Sequence, residues 1–299
     1  MSKIQDALRR LQKEGSGSDK KTGGGAKATG RRLPESVIPI VRRKKVELTG
    51  EQFHLDESQL IHRGLLAPLD QAIPVADEFR RIKRPLIDNA MKHGDQHEDH
   101  LNLVMVASAL PGAGKTFCSV NLAASISLER ELNVLLVDAD VAKPHISDAF
   151  GLADRPGLID VLEDETLSIA DVLVRTDLND IQVLPAGRKH AQLTELIASE
   201  RMESVMHELA TRYSDRMIIL DSPPLLLTSE AQALATQVGQ IAVVVEGGKT
   251  TNQEIQEALE LLDRDKAINF ILNKSLYSQT GGYYGGGYGY GTYGFNEDE

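Results

Sequence analysis

The chain has 299 residues, 26% of them charged and 41% hydrophobic by a broad count, with a formal net charge of −11. That bounds it to one globular domain with tails, or two small domains. The lone cysteine, Cys118, excludes an internal disulfide framework and suits a reducing compartment.

No apolar run follows a basic start, and none approaches the ~20 residues that cross a bilayer. The expected location is therefore cytoplasmic, with any membrane association made through a partner. The charge is unevenly spread: residues 1–92 hold 19 Lys/Arg against 12 Asp/Glu, the remainder 14 against 32. A basic N-terminal segment suits an anionic surface or the acidic body of another copy. The acidic body argues against nucleic acid as the main ligand.

In chain order, residues 1–14 form a short amphipathic segment with Ile4, Ala7, Leu8 and Leu11 on one face, too short for a stable isolated helix. Residues 15–74 are expected to be a flexible linker followed by an irregular stretch, Gly/Ser/Lys/Thr-rich up to Gly30 and without strong periodicity from Pro34 to Pro74. Val75 to Met91 has a helical pattern that Pro85 is expected to kink or restart. From Leu101 onward short apolar runs alternate with amphipathic stretches. The runs are Leu101–Ala107, Val134–Asp138, Ile181–Pro185, Met217–Asp221, Ile241–Glu246 and Ile268–Asn273. Thr116–Glu131, Glu200–Tyr213, Ser229–Gln237 and Thr251–Arg264 read as the helices between them. Near-continuous apolar strands separated by helices predict an α/β fold with a doubly wound, mainly parallel sheet over residues 75–275. Residues 276–299 are Gly/Tyr-rich, cannot build a core and are expected to be disordered. Six of the seven tyrosines lie there: Tyr277, Tyr283, Tyr284, Tyr288, Tyr290 and Tyr293.

Between the first strand and the following helix stands Ala109-Leu110-Pro111-Gly112-Ala113-Gly114-Lys115-Thr116, which resembles a Walker A phosphate-binding loop. Gly112 and Gly114 let backbone N–H groups approach phosphate oxygens, and the helix N-terminus adds its dipole. Lys115 is the candidate for the β- and γ-phosphates and Thr116 for Mg²⁺. The second strand ends in Asp138-Ala139-Asp140, whose carboxylates share a face if the extended geometry persists. A later strand ends at Asp221, the expected Walker B position for Mg²⁺ or its water. Singly, each aspartate reads equally well as a cap or turn former. Together with the loop, the three point to a metal–phosphate site.

On these motifs the chain resembles the bacterial tyrosine kinases, and within them the exosortase-associated tyrosine autokinases. The resemblance rests on Pro111-Gly112-Ala113-Gly114-Lys115-Thr116, on Asp138-x-Asp140, on Asp221-x-Pro223-Pro224 and on the tyrosine-rich tail. It rests also on Glu78-x-x-Arg81-x-x-Arg84, a segment that packs subunits into a ring in relatives. Two positions depart from the pattern: Ala113 replaces a common acidic residue, and Ala142 an arginine that often follows Asp-x-Asp, with Lys143 next to it. The resemblance implies ATP and Mg²⁺ as cofactors. It implies a nucleotide site including Pro111 to Phe117, and Thr116, Asp138 and Asp221 at the metal; Asn273, ending the last strand, is a candidate adenine contact and reads nearly as well as a strand-end turn residue. Lys115, Asp138, Asp140 and Asp221 would be catalytic, and the six tail tyrosines the phosphoacceptors. It further implies a homo-oligomeric ring, a membrane-embedded chain-length (co-polymerase) protein as activator, an opposing tyrosine phosphatase, and a role in exopolysaccharide synthesis and export. The competing reading is a conformational switch ATPase related to the partition and septum-positioning ATPases. Leu110 stands where those carry their signature lysine.

Two further features are expected to be structural. His93, His97 and His100 read as a polar loop rather than a zinc site, and Cys118 as a buried small hydrophobe.

Overall fold

The computed structural model describes residues 52–92, 100–188, 193–213 and 216–275. The N-terminal amphipathic segment, most of the linker, His93, His97 and the tyrosine tail lie outside the described residues.

Seven strands form one sheet: β1 (Leu103–Ala107), β2 (Asn133–Asp138), β3 (Val174–Arg175), β4 (Gln182–Leu184), β5 (Arg216–Asp221), β6 (Gln240–Glu246) and β7 (Ala267–Asn273). Their order is β3-β4-β2-β5-β1-β6-β7. Every pairing is parallel except that of the short edge strand β3 with β4. All residues of β1, β2 and β5 are buried, as expected of central strands covered on both faces. Alternate side chains enter opposite cores. Leu103, Met105 and Ala107 join one, and Val104 and Val106 join the other.

Helices cover both faces. Over the second core lie α1 (Glu57–His62), α2 (Ala72–Lys92), α3 (Lys115–Ile126) and α4 (His145–Ala149). Over the first lie α5 (Leu158–Glu163), α6 (Ile169–Val172), α7 (Leu193–Ile197), α8 (Glu200–Arg212), α9 (Ser229–Gln237) and α10 (Asn252–Glu260).

Two expectations are corrected. The packed body already includes residues 53–66, ahead of the expected domain start at 75. Phe53 bridges to Thr176, Asp56 caps α1 by accepting from Ser58 and Gln59 N–H groups, and Leu55, Leu60, Leu65 and Leu66 are buried. A helix of six residues is too short to display a period, so its anchors look like scattered leucines. The second correction concerns Pro85, which does not restart its helix: α2 runs through it for 21 residues. Pro85 itself is exposed while Phe79, Lys83 and Leu86 face inward. Lys83 Nζ donates to the Ser125 carbonyl at 2.6 Å and pairs with Glu129 at 2.8 Å, fastening α2 across α3.

Candidate active site

The phosphate-binding loop leaves β1 at Ala107 and enters α3 at Lys115. Gly112 and Gly114 take φ +88 and +92, the left-handed region that favours glycine. At Gly114 a side chain would also collide, since a Cβ would come within 2.2 Å of Asn273 Nδ2. The first turn of α3 carries no acidic side chain, which leaves its dipole and free N–H groups available to an anion.

Parallel pairing of β2 with β5 sets Asp138 directly beside Asp221. Asp221 is 1% exposed. Thr116 Oγ1 donates to its Oδ2 at 2.8 Å, and Ser119 Oγ lies 2.9 Å from its Oδ1. Thr116 and Ser119, three residues apart, occupy one face of α3, which is why both reach one carboxylate. On Asp138, Oδ2 accepts from the backbone N–H and the hydroxyl of Ser147, both at 2.7 Å. The same hydroxyl oxygen accepts from the Ala186 N–H at 2.9 Å. Asp138 Oδ1 is buried without a hydrogen-bond partner. Strand geometry stops at Asp138, so Asp140 lies in the following turn, where Oδ1 accepts from the Lys143 N–H at 3.2 Å.

Burial dominates the electrostatics. It pushes Asp138 up to about 8, with the neighbouring Asp221 adding to the shift. Burial likewise raises Asp221 to about 6, against the opposing pull of Thr116 and Lys115. Asp140 is raised by burial too. Burial lowers Lys115, although Asp221 and Asp140 both oppose this. Carboxyls held above their ordinary range beside an unpartnered oxygen fit a divalent cation, whose charge would reverse those shifts. Among the described residues no three His, Cys, Asp or Glu side chains form a ready metal cage, so the three aspartates gather without making one. A Mg²⁺ ion takes one or two carboxylates and completes its shell with phosphate and water oxygens. The donor set of Thr116, Asp138 and Asp221 suits that pattern.

The remaining sequence-predicted residues divide. Ala113 is buried and Pro111 exposed in the loop. Phe117 turns its ring to Phe79, edge-on at 6.0 Å between centroids. Asn273 ends β7 with Nδ2 donating to the Ala113 carbonyl at 2.8 Å. Glu78, Arg81 and Arg84 are exposed along α2, spaced by three residues. Cys118 is buried and its thiol pushed up to about 12, the state of a packing residue. His100 faces His207 and the Gln237 carbonyl at 3.4 and 3.2 Å.

Several participants are not evident from the sequence. Ser119 is recoverable from its helical spacing to Thr116. Ser147 is nine residues beyond Asp138 with no local signature. Glu246, Lys249 and Lys274 meet only because β6 and β7 end in register beside the loop.

Comparison with known proteins agrees with this geometry. A family model described as an AAA domain matches residues 102–276. Tyrosine-protein kinase YwqD of Bacillus subtilis is 32% identical over 233 residues, covering 75% of this chain and 92% of its own. The chain belongs to the bacterial tyrosine-protein kinases. It is therefore a phosphotransferase with the nucleotide-binding fold of P-loop proteins. The tyrosine-protein kinase Wzc of Salmonella typhimurium is 28% identical over 243 residues, which span 81% of this chain but 31% of Wzc. Among solved structures, the kinase domain of VpsO superposes with a TM-score of 0.57 at 29% identity, covering 70% of this chain and 99% of that one. The kinase domain of the Escherichia coli tyrosine kinase ETK gives 0.56 at 25% identity, covering 68% and 79%. Among the described residues no helix is long and apolar enough to cross a membrane.

Proposed function

We propose that this kinase uses ATP with Mg²⁺ to phosphorylate the tyrosine cluster of its own C-terminus, Tyr277, Tyr283, Tyr284, Tyr288, Tyr290 and Tyr293, in trans between copies in a ring. The observation that carries the reading is the buried pair Asp138 and Asp221, side by side in register next to Lys115.

In this reading the loop amides from Gly112 to Thr116 and the Lys115 ammonium hold the ATP phosphates, and the backbone of Pro111 and Phe117 closes the two ends of the cradle. Thr116, Asp138 and Asp221 hold Mg²⁺, which when bound neutralises charge on the phosphate oxygens. The tyrosine oxygen forms the new P–O bond as the bond to the ADP oxygen breaks. The phenol proton passes to Asp138 or Asp140. With an ordinary phenol pKa of ~10, that transfer accompanies bond formation rather than preceding it. The protein's contribution is mainly position and charge.

The exposed row Glu78, Arg81 and Arg84 supports assigning the subunit contact to α2. Each phosphotyrosine adds roughly −1.5 to −2 charges. On an acidic body that favours release of the ring. Relatives named for polysaccharide work, such as the succinoglycan biosynthesis transport protein ExoP of Rhizobium meliloti at 29% identity, support a role in exopolysaccharide synthesis and export. Such a role would pair the chain with a membrane-embedded co-polymerase and an opposing phosphatase, and hold it at the inner face of the membrane through that partner. The form of its motifs supports the exosortase-associated branch.

The test is incubation with ATP and Mg²⁺ followed by mass spectrometric mapping, with Lys115→Met as control. Phosphate on tail tyrosines in the wild type alone is the expected result. ATP hydrolysis with an unmodified tail, even with the partner's cytoplasmic segment added, would replace this reading with the conformational switch ATPase.

A further inference from the structure

A phosphate-binding loop that points its N–H groups inward must turn carbonyl groups outward, and those carbonyls need donors of their own. Here the donors come from the far edge of the sheet. Asn273 Nδ2 donates to the Ala113 carbonyl at 2.8 Å, and Lys274 Nζ donates to the Gly112 carbonyl at 2.6 Å. Both residues sit at the end of β7, where Asn273 pairs with Glu246 of β6. The Glu246 carboxylate, its side chain 15% exposed, holds Lys274 at 3.2 Å and Lys249 at 3.1 Å on its two oxygens. Lys274 takes a left-handed φ of +52, a placement few L-residues adopt. Behind it the chain is pinned: the Gly247 N–H donates to the Asn273 carbonyl at 2.8 Å, and a Cβ on Gly247 would come within 2.9 Å of Ser275 Cα.

We propose that Asn273 and Lys274 are positioning residues for the nucleotide: they brace the outward carbonyls of the phosphate-binding loop and so hold its N–H groups in the phosphate-binding arrangement. The inference rests on the nucleotide reading of the loop given above. It assigns the Asn273 amide to the loop backbone in place of the adenine. Lys274 is braced in turn by Glu246, so its ammonium serves the loop without being drawn to the phosphates. The brace closes one residue before Ser275, and the tyrosine tail follows directly.

Calorimetric titration with Mg-ADP on the full chain tests this without requiring kinase activity. Asn273→Ala and Lys274→Met should each weaken ADP binding by roughly 5- to 10-fold, the worth of one hydrogen bond. Lys274→Arg should restore affinity to within about 2-fold of wild type, since a guanidinium can also donate to a carbonyl. In autophosphorylation the same variants should raise KM for ATP by the same factor while kcat stays within about 2-fold. ADP affinity unchanged from wild type in both variants, or a fall in kcat at constant KM, would overturn the brace and leave the kinase reading standing. A wild type that binds no ADP would overturn both. A misfolded Lys274→Met, seen as a lost thermal transition, leaves Asn273→Ala to decide.

Discussion

The two walls of the phosphate-binding loop carry the same chemistry, a carboxylate near lysine, in opposite surroundings. On the inner wall Asp221 is 1% exposed, is bonded by Thr116 and Ser119, and is pushed up to about 6 by burial. On the outer wall Glu246 is drawn below its ordinary range by Lys249 and Lys274, which are half or more exposed. Depth in the sheet decides the sign. The inner carboxyls are short of positive charge and suited to receive it from a cation. The outer carboxylate is already neutralised by its own lysines and needs no ligand to be stable. On the proposed reading, chemistry belongs to the inner wall and support to the outer one, and substitutions should separate the two.

The largest effect is expected on the inner wall. Lys115→Met should lower tail phosphorylation on the order of 10³-fold, with the fold intact by circular dichroism. A variant within about 10-fold of wild type would place the phosphate-binding cation elsewhere.

Asp138→Asn should separate stability from activity. The Asp138 carboxyl is pushed up to about 8 in the folded chain, far above the ~3.9 of an unfolded aspartate. The folded state therefore holds its proton more tightly, and the stability this contributes is full below pH ~4 and lost as pH rises toward 8. A permanently neutral asparagine removes that loss. The nucleotide-free variant should melt about 5 °C higher than wild type at pH 8, with the gap closing toward pH 5, while phosphotransfer falls. Equal melting temperatures at pH 8 would show that Asp138 ionises freely there.

These expectations also show how much the sequence disclosed. Central strands were legible almost to the residue: Met217–Asp221 against the observed Arg216–Asp221, and Ser229–Gln237 as a helix with the same bounds. Fully buried parallel strands must be apolar throughout, and P-loop residues must follow one another locally. What stayed hidden depends on tertiary placement. Residues 53–66 reach the core through a bridge to Thr176 and four spaced leucines. The two-residue antiparallel edge β3 is too short to leave a pattern. Ser147 becomes relevant to Asp138 only because α4 returns beneath β2.

That serine supplies a smaller test. Ser147→Ala removes the hydroxyl shared by Asp138 and the Ala186 N–H, and should cost about 1–3 kcal/mol in chemical denaturation. A loss below ~0.5 kcal/mol would mean that water replaces the hydroxyl. The smallest change belongs to the outer wall. Glu246→Gln should raise KM for ATP by roughly 2-fold, because Lys274 keeps its bond to Gly112 when its carboxylate partner is lost. A 10-fold rise would make Glu246 part of the brace rather than its backing.

The order of the strands also sets a ruler for the tail. β7 lies four strand spacings from β2, and at ~4.8 Å per spacing that is about 19 Å of sheet between Asn273 and Asp138. Tyr277 follows Asn273 by four residues, so its Cα can travel only about 14 Å from that anchor. Tyr283, ten residues out, can travel about 35 Å. Tether length alone therefore does not force the five distal tyrosines toward a neighbouring copy. In the proposed reaction Tyr277, on the shortest tether of the six, is then the tail tyrosine for which transfer between copies matters most.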